Sequence, residues 1–263
     1  MQQQENPLNY LFLEEESIDL REVMEKYFYH WKWFVLGALV GIMAAFLYLR
    51  YTPNEYLVKT AILIDDESAS GLPSELSAFE DLGLMGSAKK KIENEIGLLK
   101  SKSLMEDVVK DLILNIGYFK KGRVREVELY KNNVPFKINF LNKDSVFHKR
   151  DTSFSIQAIS ETKYNLKNSD GDNSKSYVFG EKVTSDFGGF TVTPSDLTKV
   201  NLEDEIIVTL SPLKTVTEGL REIISIELLY KKSTLIELSL KNTVKLKAID
   251  ILNQLVKLYN KEA

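Results

Sequence analysis

The chain of 263 residues contains no cysteine. That absence excludes disulfides, thiolate metal sites and cysteine nucleophiles, and it says nothing about redox compartment, since disulfide-free proteins are viable anywhere. Histidine is nearly absent as well. His30 and His148 stand on opposite sides of the apolar segment described below, so they cannot share a His-based metal site or complete a Ser-His-Asp arrangement. There is no excess of positive charge either: 34 basic against 38 acidic residues give a net charge of −4, which argues against a nucleic-acid partner. Only two tryptophans occur, Trp31 and Trp33, and both flank that apolar segment, which leaves none for a sugar-stacking platform.

The one long hydrophobic run is WKWFVLGALVGIMAAFLYLRY, residues 31–51, with 17 uncharged residues between Lys32 and Arg50. At about 1.5 Å per residue they span roughly 26 Å, and the two flanking cations extend outward to complete a ~30 Å hydrocarbon crossing. Trp31, Trp33, Tyr48 and Tyr51 lie at its ends, where amphipathic rings favour the headgroup layer. The preceding 30 residues are too long and too acidic for a signal-peptide leader, and bulky Leu47-Tyr48-Leu49 offers no cleavage site, so a retained anchor is expected. Arg21, Lys26 and Lys32 before the span outnumber Arg50 and Lys59 after it, which favours a cytoplasmic N-terminus. Gly37, Gly41 and Ala45 recur every four residues and share a helix face, a spacing that lets a second backbone approach; it also fits the general abundance of glycine in membrane helices. These three are the candidate oligomerisation residues.

Ahead of the span, Leu20, Val23, Met24, Tyr27, Phe28 and Trp31 form an amphipathic stripe. Asp19 and Glu22 supply a capping box there, and Ile18 and Val23 a staple, predicting a helix that lies at the interface or runs into the span. Residues 1–30 are therefore expected to be a cytoplasmic segment, 31–51 a transmembrane helix, and 52–263 one periplasmic α/β domain.

Within that domain EYLVKTAILID reads as a strand with Tyr56, Val58, Thr60, Ile62 and Ile64 on one face. A loop containing one short helix near 75–82 follows. Two helices are then predicted, with rows Ile92/Ile96/Leu99 and Leu104/Val108/Leu112, the second opened by a capping box of Ser103 and Glu106. Residues 142–200 read as a β-rich insertion of hairpins. EIIVTLSP, ISIELLY and TLIELSL are further strands, LKTVTEGLREI is helical, and the last 21 residues carry helical spacing. The fold class is α/β (α+β), helices on one face of a mixed sheet. The final helix ends without a C-cap glycine, as though the chain were cut.

Candidate chemistry is sparse. GYFKKGRV, from Gly117, nearly spells a phosphate loop, but Arg123 and Val124 occupy the positions of the required Lys and Ser/Thr. Asp65-Asp66-Glu67 lacks the spaced ligands and glycine of a calcium loop. Lys89-Lys90-Lys91 reads as a solvated run. Tyr118, Tyr130, Tyr164 and Tyr177 fall in or beside strands, where packing is the usual role. No catalytic, cofactor-binding or metal residue is expected, and the chain reads as non-enzymatic.

The element order, with IDLREVMEKYFYHWKW, FLYLRYTPNEY, NEIGLLKSKSLMEDVV and AIDILNQLVKLY, resembles the N-terminal half of the polysaccharide co-polymerase family, the Wzz-like chain-length determinants. Its nearest likeness is to the longer members fused to a tyrosine autokinase (Wzc-like). The resemblance implies an inner-membrane protein whose periplasmic α/β domain assembles into a homo-oligomer. It also implies work with the polysaccharide polymerase or export machinery, and contact with the polysaccharide chain itself, in setting the length or export of capsule, exopolysaccharide or O-antigen. The second membrane span, Walker motifs and tyrosine-rich tail of such relatives do not occur in this sequence, so no phosphoryl transfer is expected from it. Two alternatives stay open: a ligand-sensing or transporter-accessory ectodomain, and the regulatory N-terminal half of a longer tyrosine autokinase.

Overall fold

A computed structural model describes residues 20–64, 87–122, 125–141, 149–168, 174–185, 188–195, 204–230 and 234–262. The chain divides into two compact units, Met1–Thr52 and Pro53–Ala263. In the first, α1 (Leu20–Tyr29) and α2 (Trp31–Tyr51) are separated by a turn at His30. Helix α2 is apolar around its whole circumference and buries none of its residues, the pattern of a helix built for lipid rather than for a protein core. It ends at Thr52, whose amide and hydroxyl both donate to the Tyr48 carbonyl, at 2.9 and 2.8 Å, just before Pro53. The cap and staple expected at Ile18 and Asp19 lie outside the described residues.

In the second unit an α/β body is assembled from both ends of the sequence. Strand β1 (Tyr56–Leu63) pairs with β12 (Leu235–Asn242), which pairs in turn with β11 (Ile224–Leu228). Four helices join this sheet: α3 (Ser87–Leu99), α4 (Lys102–Asp111), α5 (Leu213–Ile223) and α6 (Lys245–Glu262). Burial along β1 alternates as expected, with Ile62 and Ile64 inside and Leu57, Lys59, Ala61 and Leu63 outside. The inward residues meet Leu99, Leu104, Met105, Val108 and Val109 from α3 and α4, and Ile251, Leu252 and Leu255 from α6, in one continuous core. Every pairing in the sheet is antiparallel, a refinement of the mixed sheet suggested by alternating strands and helices: β11 and β12 form a hairpin, and β1 runs opposite to β12 on its other side.

Helix α4 begins at a different residue from the one its sequence suggests. Ser101, with extended backbone, is the N-cap, and its hydroxyl accepts the Leu104 amide at 3.2 Å. Ser103 lies inside the first turn. Both serines precede the apolar row, and backbone conformation rather than spacing selects between them. The short helix expected near 75–82 lies outside the described residues.

Between α4 and α5 the chain builds a β-sandwich. One sheet has the order β3-β2-β10-β5-β6-β7, made of β2 (Ile116–Lys121), β3 (Glu126–Leu129), β5 (Thr152–Ala158), β6 (Lys163–Asn168), β7 (Ser174–Val178) and β10 (Glu205–Leu210). The other is β4-β9-β8, from β4 (Phe136–Phe140), β8 (Lys182–Ser185) and β9 (Gly188–Pro194). Their inner faces share a second core, in which Phe154 and Phe190 stack at 5.5 Å beside Phe136, Ile156, Tyr164, Val192 and Val208. The strands thus start before residue 142 and end after residue 200. The segment read as a near-phosphate loop is β2, and Gly117 is needed there because a Cβ would lie 2.5 Å from Thr209 Oγ1 and 2.7 Å from the Phe119 ring.

Candidate functional site

No group of three or more potential metal ligands occurs among the described residues. Of the tyrosines singled out in the sequence, Tyr164 is buried and Tyr118, Tyr130 and Tyr177 are half-buried. Tyr118 is half-buried and edge-on to Phe136 at 6.2 Å; burial pushes its phenol up to about 12, partly offset by a backbone hydrogen bond at Ile138. Tyr164 is fully buried, packed on Phe179 at 5.0 Å and Tyr177 at 5.9 Å. Tyr259 on α6 donates to Glu95 of α3 at 2.8 Å and is likewise raised to about 12, by burial first and by Glu95 second. These rings hold the cores together.

What the chain presents instead is surface. On α2, Gly37, Gly41 and Ala45 are all exposed, and a Cβ added at Gly37 or Gly41 would meet nothing within 4 Å. The strip lets another backbone come close, which is the property small residues confer on membrane helices. Trp31, Trp33, Tyr48 and Tyr51, at the helix ends, are also exposed. His148, the Asp65–Glu67 cluster and the side chains of Lys89–Lys91 lie outside the described residues or side chains.

A polar contact that the sequence did not suggest joins the sandwich to the body. Lys131 Nζ is 2.5 Å from Asp250 Oδ2 on α6, Lys247 pairs with Glu128 of β3, and the Lys131 ammonium stands 5.5 Å from the Tyr130 ring centre. The partners are more than a hundred residues apart in sequence, and no local pattern links them.

Comparison with known proteins fits this layout. Residues 16–112 match the family profile described as Wzz, chain length determinant protein. The match takes in α1, α2, β1, α3 and α4 and stops where the chain turns into the sandwich. Over 102 residues the chain is 28% identical to the tyrosine-protein kinase ptk of Acinetobacter johnsonii; the similar stretch is 39% of this chain and 13% of that protein. The chain thus spans only a small part of its curated relative. A crystal structure of FlgL from Xanthomonas campestris aligns over 55% of this chain and 41% of its own, at 12% identity and a TM-score of 0.20, too low to support any argument. Residues 16–112 of this α/β chain are thus similar to the Wzz chain length determinant family, and the matched stretch includes one helix, Trp31–Tyr51, long and apolar enough to cross a membrane.

Proposed function

We propose that the chain is a tethered, non-catalytic subunit that takes part in setting the length, or assisting the export, of a surface polysaccharide. The observation that carries this reading is the Wzz match over an unbroken run from the membrane helix through β1, α3 and α4. In this reading α2 crosses the inner membrane once, the unit from Pro53 onward faces the periplasm, and copies associate through the Gly37/Gly41/Ala45 strip and the wet faces of α3 and α4. A polymerase or exporter and the growing glycan are the partners.

The test is the mass of the complete chain in lipid nanodiscs by native mass spectrometry. A defined homo-oligomer is expected, reduced to smaller species by Gly37→Leu with Gly41→Leu; a strict monomer would overturn the subunit reading. Protease shaving of spheroplasts is expected to digest the unit from Pro53 onward, and protection of that unit would overturn the orientation. The similarity to a tyrosine-protein kinase favours one second reading, in which this chain acts as the regulatory portion of such a kinase. Co-purification with a phosphotyrosine-bearing kinase at fixed stoichiometry would support it.

A further inference from the structure

The sandwich is joined to the body covalently at one place, where the chain leaves α4 and returns to α5. There the first and last strands are neighbours: Leu210 pairs with Ile116, and the Ser211 amide donates to the Asn115 carbonyl at 2.9 Å. This two-stranded neck is poorly satisfied. Ile113 has φ +53°, in the left-handed region where a β-branched residue is a genuine outlier. Among the described residues, Asn115 is one of two that are polar and buried, at 2% exposed, and its amide nitrogen has no acceptor there. The second attachment is the non-covalent contact around Lys131. That residue, at φ +47°, is the one other non-glycine with positive φ among the described residues. Among the described residues, both non-glycine positions with positive φ thus lie where the sandwich meets the body.

Strain persists only where surrounding contacts over-determine it, and it marks places with an alternative conformation close in free energy. Lys131–Asp250 and Lys247–Glu128 bridge the two bodies, with side-chain exposures of 48%/19% and 19%/14%. The Tyr130 phenol is raised above its ordinary range by burial first and by Asp250 next, which places it within the same cluster. The buried apolar side chains form two separate clusters, one on each side, with buried Leu210 at the neck belonging to neither.

We propose that residues 116–210 form an arm that pivots on the Asn115/Ser211 neck and is held against α6 by a releasable latch of Tyr130, Lys131, Glu128, Asp250 and Lys247. Releasing the latch relieves the strain at Lys131 and frees rotation at Ile113, so the arm has a docked and an undocked position. Both keep its core intact. A partner that binds the arm or α6 at the latch selects between them.

The absence of native cysteine makes the test direct, because two introduced thiols are the only labelling sites. The full chain in nanodiscs, carrying Lys175→Cys on the arm and Lys257→Cys on the body, is spin-labelled and its distance distribution measured by pulsed electron resonance. Both positions are exposed. The parent is expected to show one narrow distance. Lys131→Met with Lys247→Met is expected to raise the undocked-to-docked ratio roughly tenfold, seen as a second distance. A control pair within the arm, Lys137→Cys with Lys175→Cys, stays unchanged if the sandwich remains folded. Identical distributions in parent and latch variant, with the control pair intact, overturn the proposal. If the double variant fails the control, Lys131→Met alone is used, since its side chain is half exposed and its loss leaves both cores untouched; an unchanged distribution in that variant overturns the proposal equally.

Discussion

The Ser101 hydroxyl accepts the Leu104 amide at the start of α4, and alanine there would leave that donor unpaired at the helix end. Ser101→Ala is expected to cost about 1 kcal/mol, read as a lowered melting temperature of the second unit, while Ser103→Ala leaves it nearly unchanged. Glu205 offers a residue-scale pH effect. Its carboxyl is held below the usual range first by a hydrogen bond from Ser155 and then by Lys121 at 3.0 Å. Because the folded pKa is depressed, this contribution is present above the unfolded pKa and is lost as pH falls through the folded one. Glu205→Gln should therefore destabilise at neutral pH, and the difference from the parent should vanish in acid melts. The tyrosines act at the other end of the scale. Tyr118, Tyr164 and Tyr259, each raised from 10.0 to about 12, contribute stability below pH 10 that is lost as pH rises towards 12. Thermal melts should fall steeply across that window, with the share of tyrosinate absorbance due to these three rings appearing only as the protein unfolds.

Among the elements, those whose period matches a single buried face were legible in the sequence. In β1 every second residue from Tyr56 to Ile64 points one way and burial grows along the strand. The rows of α4 and α6 emerge as read, with Leu104, Val108, Ile251, Leu252 and Leu255 all in one core. The extent of the sandwich was harder to see, because β2 has half-buried residues on both faces and Ile116-Gly117-Tyr118-Phe119 shows no alternation. The latch was invisible for a different reason: Lys131 and Asp250 meet only because two folded bodies set them side by side. The candidate strip on α2 could be located by its spacing, but spacing carries no information on what covers it. The two cores also make a prediction of their own. Phe190→Ala in the sandwich should cost about 3–5 kcal/mol, and hydrogen exchange should show lost protection within residues 116–210 and leave α4 and α6 protected.

For the molecule as a whole, the matched region and the sandwich have separate structural logic. The Wzz profile ends at residue 112, next to Ile113, where the backbone leaves the helical geometry of α4 and enters the neck. The body is completed by α5, β11, β12 and α6, which return some hundred residues later to close the same sheet and core. The apolar helix α2, the body and the sandwich can then vary under separate packing demands.

Because the sandwich departs and returns on adjacent hydrogen-bonded strands, its two termini coincide at one spot on the body. Such an element behaves as a cassette. It can be lengthened, exchanged or removed by splicing at Leu114 and Pro212 without asking the host sheet to change register, so relatives that keep the anchor and the body are free to carry a quite different appendage, or none, at that position.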